Sequence, residues 1–169
     1  MKKLAVVLMA LSLFSGAASA AEGAPVQTAL SVEEFFNRLN KDSMDLVDRF
    51  YAEDTHFLDP VVDLRGREAV RKYYENLYRN VDTIRFDFSG VVQQGDEQVA
   101  FWTMILRAKG LNGGREVQVI GNSHFRFDPV TRLAVYHRDY FDMGEFIYER
   151  LPVLGRLIRY IKARFAQSN

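Results

Sequence analysis

Apolar positions recur at helical spacing at the start of the folded region, and then switch to alternation. Ser31-Val-Glu-Glu34 has the form of a capping box, and Val32, Phe35, Phe36 and Leu39 follow with the spacing of one helix face. A second short helix is predicted from Asp42 or Ser43, burying Leu46, Val47, Phe50 and Tyr51 and making a helical hairpin with the first. Thr55 to Asp59 is short and β-prone, with Thr55, Phe57 and Asp59 on one face, and Pro60 ends it. After Gly66, the residues Val70, Tyr73, Tyr74, Leu77, Tyr78 and Val81 line up as a third amphipathic helix. From Thr83 the period is two. Thr83 to Gln93 sets Ile84, Phe86 and Phe88 on one face, and Val99 to Arg107 is so apolar that a strand covered on both faces is expected. Asn112-Gly113-Gly114 marks a turn into Glu116 to Phe127, and Leu133 to Asp142 forms the last strand. Helices gathered ahead of an antiparallel meander indicate an α+β fold.

The last strand carries the chemistry. Its alternation puts Leu133, Val135, His137, Asp139 and Phe141 on one side, so a His and an Asp follow two aliphatic residues inward. Ionisable groups on an apolar face must pair, or line a cavity that has a use for them. Asp59 shares the inward face of its own strand, which makes an Asp59–His137 acid/base pair one reading and a buried structural pair the other. His137 and Asp139 also have the H-x-D form of a non-haem iron site. Strand parity turns the other two histidines, His56 and His124, away, so no metal site is expected. Phe35, Tyr74, Phe86, Trp102 and Phe125 are aromatic residues suited to a core or to a cavity wall, with Ser123 and Phe141 beside them on the same inward faces. There is no P-loop, G-x-G-x-x-G, G-x-S-x-G or Cys nucleophile, and no cofactor is expected.

Composition bounds the partners. The formal charge is zero, and removal of Lys2 and Lys3 would leave minus two, which argues against nucleic acid. Met1-Lys2-Lys3, an apolar run from Leu4 to Phe14 and a close at Ala18-Ser19-Ala20 read as a secretory signal peptide over residues 1–20. Residues 21–30 then form a linker to a single domain at 31–166, and the expected address is the bacterial periplasm. With no Cys, neither disulfides nor lipoprotein anchoring are available. Beyond Met143 a basic amphipathic helix is predicted, with a stripe of Leu151, Leu154, Ile158, Ile161 and Phe165, and with Arg156, Arg159, Lys162 and Arg164 elsewhere on its surface. Its stripe is expected to cover the sheet or the cavity mouth, with contact to a membrane surface as the alternative. Tyr136, Arg138 and Tyr140 face outward from the last strand, a surface on which a homodimer could form.

Phe50-Tyr-Ala-Glu-Asp54, Phe57-Leu-Asp-Pro60, the Gly66 that opens a Tyr-rich helix, and Ser123-His-Phe-Arg-Phe127 together resemble the nuclear transport factor 2-like superfamily, in its SnoaL-like and ketosteroid-isomerase-like branches. The resemblance spans about residues 31 to 142. It implies a cone: a strongly curved antiparallel sheet wrapped by the early helices around an apolar cavity. It places the isomerase branch's general base on Asp59, its tyrosine donor on Phe35 and its oxyanion-hole acid on Ser123. The two missing donors weigh against steroid isomerisation. It also matches the cyclase branch's deep carboxylate with Asp139. The resulting expectation is a binding protein for a small hydrophobic molecule, lipid-like or polycyclic. The alternatives are a cofactor-free enzyme using Asp59 with His137 and Asp139, and a dimeric interaction module.

The ordered charged, apolar and small-residue regions predict cleavage after Ala20. Protein recovered from the periplasm should begin at Ala21-Glu22 by N-terminal sequencing, and an intact Met1 there would rule export processing out.

Overall fold

The structure is a computed structural model that describes residues 30–167; the proposed signal peptide and nearly all of the proposed linker lie outside them. Helices α1 (Val32–Arg38) and α2 (Asp45–Phe50) lead into β1 (Tyr51–Leu58), and a short β2 (Asp63–Arg65) precedes α3 (Arg67–Tyr78). Then come β3 (Val81–Gln94), β4 (Glu97–Ala108), β5 (Val117–Phe127) and β6 (Ala134–Phe141), followed by α4 (Met143–Phe146), a 3-10 turn at Tyr148–Arg150 and α5 (Pro152–Ala166). The six strands form one curved, unclosed sheet in the order β2-β1-β6-β5-β4-β3. This is the α+β architecture expected, with α1, α3 and α4 facing the sheet across its interior and α5 apart from it.

The capping box forms: the Glu34 backbone N–H donates to Ser31 Oγ at 3.1 Å and the Ser31 N–H donates to the Glu34 carboxylate at 3.0 Å. The α1 stripe and the α2 stripe meet in the core, where Phe35 stacks on Phe50 with ring centroids 4.1 Å apart. Burying each such ring contributes about 1.5–3 kcal/mol.

Several expectations need correction. The meander is antiparallel from β3 to β6, but β1 pairs with β6 in parallel, because the chain passes through β2, α3 and strands β3 to β5 before returning beside its first strand. Tyr51 caps α2 and opens β1 instead of lying within the helix, yet remains fully buried. Strand β6 carries a bulge: Phe127 pairs with Ala134 and Arg126 with Tyr136, so Val135 is an extra residue. Alternation counted back from His137 therefore fails, and Ala134, not Leu133 or Val135, is the aliphatic residue packed in the core. Strand β4 is covered fully only on its concave side, where Ala100, Trp102, Met104 and Leu106 are buried, while Phe101 is exposed on the other. The largest departure is α5. Its predicted stripe does not cover the sheet or the cavity mouth: Leu151, Leu154, Ile161 and Phe165 are exposed and Ile158 is half-buried.

Register also makes one glycine irreplaceable. Gly121 lies opposite Trp102, and a Cβ built on it would stand 2.3 Å from the indole ring. Gly121→Ala should therefore destabilise the fold by about 1–3 kcal/mol as the ring is forced aside. Trp102 is the chain's one tryptophan, so a lowered melting temperature should come with a shifted emission maximum; an unchanged melt and spectrum would refute this packing.

Candidate functional site

The site is built on the concave face of β6, which lies between β1 and β5 and so takes neighbours from both. Register sets Phe57 of β1 and Phe125 of β5 on either side of His137, and Ser123 of β5 opposite Asp139. The imidazole stacks on Phe125 at 4.1 Å, meets Phe57 edge-on at 4.9 Å and has no exposed surface.

A fully buried imidazole must satisfy both ring nitrogens. His137 Nε2 lies 2.8 Å from Asp139 Oδ1, and Nδ1 lies 2.6 Å from the Tyr51 hydroxyl, which is 3.0 Å from the Tyr74 hydroxyl. From the other side the Ser123 hydroxyl donates to Asp139 Oδ1, and Trp102 Nε1 donates to Ser123 Oγ at 2.8 Å. Burial pushes the Tyr51 and Tyr74 hydroxyls well above the ordinary tyrosine range, so both keep their protons. One assignment then satisfies every group. Tyr74 donates to Tyr51, Tyr51 donates to His137 Nδ1, and the proton on Nε2 is donated to the Asp139 carboxylate. Two arms of hydrogen bonds thus converge on one oxygen of Asp139. Among the described residues no donor occupies the other oxygen.

Asp139 opens onto a cavity of about 410 Å³ between the sheet and α1, α3 and α4. Phe35, Tyr74, Phe86, Trp102, Phe141, Asp59 and Asp139 all line it, as their faces required. Ser123, Phe125 and His137 do not. They lie behind the wall, Ser123 and His137 bonded to Asp139 and Phe125 packed under the imidazole. The proposed Asp59–His137 pair is not made, because Asp139 on the same strand already holds the imidazole. Asp59 instead closes the turn after β1, where its Oδ1 accepts from the N–H groups of Val61 at 2.6 Å and Val62 at 2.8 Å. Its Oδ2 accepts from Tyr73 of α3, a phenol that burial and this acidic neighbour push up.

Tyr51 and Tyr73 were not singled out as site residues in the sequence. The signal available was a hydroxyl-bearing ring on a stripe otherwise suited to the core. His56 bonds Asp63 at 2.6 Å and His124 bonds Glu97 at 3.1 Å, both at half-exposed positions that do not line the cavity. Among the described residues no group of three or more His, Asp or Glu side chains converges to hold a metal ion. Among the described residues no Lys, Arg or His lines the cavity, and its ionisable groups other than tyrosine are Asp59 and Asp139. Chemically, the arrangement offers an apolar chamber with two carboxylates, one of them backed by a buried imidazole able to relay a proton.

Comparison with solved structures finds this fold repeatedly. A protein from Shewanella denitrificans OS-217 described as a SnoaL-like polyketide cyclase superposes with a TM-score of 0.59 at 18% identity, covering 66% of this chain and 87% of its own. A protein of ketosteroid isomerase-like fold from Catenulispora acidiphila DSM 44928, crystallised with trimethylamine, matches with a TM-score of 0.58 at 14% identity over 73% and 89% of the two chains. An epoxide hydrolase of M. tuberculosis matches with a TM-score of 0.57 at 22% identity over 68% and 78%. These likenesses establish the nuclear transport factor 2-like fold. No curated protein matches significantly. The sequence profile of the SnoaL-like domain matches residues 32–134, well over half of the chain and most of the cone, and this protein belongs to the SnoaL-like domain family.

Proposed function

We propose that this is an exported binding protein that holds a small hydrophobic molecule, lipid-like or polycyclic, in the cone. The observation that carries the reading is the cavity itself: a wall that is apolar except for Asp59, Asp139 and the tyrosine hydroxyls. At about 410 Å³ it falls at the lower end of the roughly 300–1,000 Å³ of small-molecule sites. That suits one acyl chain or a compact ring system better than a whole phospholipid. With two carboxylates in the wall, and Arg138 only at the opening beside them, the favoured ligand brings a hydrogen-bond donor to the acids. Export is supported by the pattern of the first twenty residues.

A second reading has its own observation. Asp139 lines the cavity with one oxygen pinned by His137 and Ser123 and the other without a donor among the described residues, as a proton acceptor would be held. In that reading the protein is a cofactor-free enzyme that moves a proton or activates water at Asp139, with Asp59 as the second acid. The kinship in fold with an epoxide hydrolase makes hydrolysis one chemistry to test.

Trp102 in the wall is the natural reporter. Titration with the neutral probe N-phenyl-1-naphthylamine should quench its emission, and Ala108→Phe, which fills the cavity from the β4 side, should weaken binding at least about tenfold. An unresponsive Trp102, with probe affinity unchanged in the filled variant, would overturn the cavity as the binding site.

Asp139→Asn separates the readings, since it keeps the shape and removes the base. A binder should retain the probe within about threefold, whereas an enzyme should lose turnover of an epoxide or ester panel by at least about a hundredfold. Loss of probe binding with no turnover in the wild type would exclude the enzymatic role.

A further inference from the structure

Helix α5 is attached by the wrong face for a helix that serves the core. Gly155 is its one buried residue, and a Cβ there would stand 2.1 Å from the Glu149 carbonyl oxygen. From the same side Arg159 donates to that carbonyl at 2.9 Å and Lys162 pairs with the Glu149 carboxylate. The small and charged face is thus clamped onto the turn Tyr148–Arg150, and the apolar face is turned outward. Val153, Leu157 and Phe165 are exposed by 74%, 54% and 75%, with Leu154, Ile161 and Tyr160 beside them. At 100° per residue Val153, Leu157, Ile161, Leu154 and Phe165 fall on one side of the helix, in the order given. A contiguous exposed apolar patch of this kind marks an interaction surface.

We propose that α5 is an interfacial helix that docks this domain on an anionic phospholipid bilayer, lying in the plane of the headgroups with its apolar face down. Charge selects the occupant. The helix carries Arg156, Arg159, Lys162 and Arg164 and no acid; Arg159 and Lys162 are engaged with Glu149, while Arg156 borders the apolar face and Arg164 rises within it near its C-terminal end. A second copy of the chain would bring like charges together at that border, whereas anionic headgroups neutralise it. Insertion across the membrane is not involved, since among the described residues no helix is long and apolar enough to cross. The proposal does not depend on what the cavity holds, but it bears on access. Phe146 and Ile147 belong to the cavity wall and are six and five residues from the start of α5, so docking keeps the cavity within about 20 Å of the bilayer.

The test is co-sedimentation with vesicles of phosphatidylglycerol and phosphatidylethanolamine, against vesicles of phosphatidylcholine alone. Wild type and Leu157→Glu/Ile161→Glu are made in the same host so that both carry the same N-terminus. Wild type should bind the anionic vesicles, lose most binding when salt rises from about 0.05 M to about 0.5 M, and bind phosphatidylcholine at least about tenfold more weakly. The double variant should lose anionic binding at least about tenfold while melting and binding N-phenyl-1-naphthylamine as wild type does, because both positions are exposed. Equal vesicle binding by the two proteins overturns the proposal. So does a wild-type dimer that the variant dissociates without any vesicle binding, which would assign the face to a second copy.

Discussion

The hydrogen bond between His137 and Asp139 is the constraint on which the interior depends. An imidazole with no solvent exposure sits on the middle strand, and leaving either nitrogen unpaired there would cost about 1–3 kcal/mol. Asp139 satisfies one nitrogen and Tyr51 the other, so β6 is tied at a single ring to the start of β1, and through Tyr74 to α3. The parallel pairing of β1 with β6 is what brings Tyr51 within reach. The bulge at Val135 shifts the strand so that Ala134, the smallest inward residue, is buried in line with the ring.

The same network sets the character of the cavity. Because His137 and Ser123 both bond to one oxygen of Asp139, the polar groups that could have faced the lumen are drawn behind the wall, and the carboxylate alone comes through it. Ser123 is further held by the Trp102 indole, whose ring lies over Gly121 where no side chain stands. Asp59 is separately fastened by two backbone N–H groups and Tyr73. Two carboxylates therefore enter the chamber on rigid supports, and they differ in kind: one is backed by a relay of protonated groups and the other closes a turn. Under the proposed binding reading, carboxylates held this way are pre-organised for a ligand.

Helix α5 obeys a different logic. Amphipathicity is satisfied in most domains by burying the apolar face, but here the polar face finds the better partner. Gly155 allows the helix to approach the Glu149 backbone, and Arg159 and Lys162 are bonded there. Exposed pairs of this kind are individually weak, worth about 0–1 kcal/mol. Close backbone packing at Gly155 and the short linking turn reinforce them, and the apolar stripe is left exposed.

What the sequence determined by itself is what local periodicity and local hydrogen bonding can encode. The capping box at Ser31 and Glu34, the tyrosine stripe of α3, the strand faces carrying Phe35's neighbours, Trp102 and Asp139, and the family landmarks from Phe50 to Phe127 were all legible, because each depends on residues a few positions apart. The tertiary structure alone decided which of two inward acids His137 meets. Asp59 and Asp139 were equivalent by parity, and the choice fell to Asp139 because it shares the strand, while the turn after β1 consumed Asp59. It also decided the partnership of Tyr51 with His137, 86 residues away, which depends on the parallel pairing of β1 with β6, and the site of the bulge, which one strand's alternation cannot reveal. The direction faced by α5 was decided by Gly155 and Glu149. A hydrophobic stripe states that a face seeks cover, but only the contacts of the opposite face determine whether the molecule can supply it.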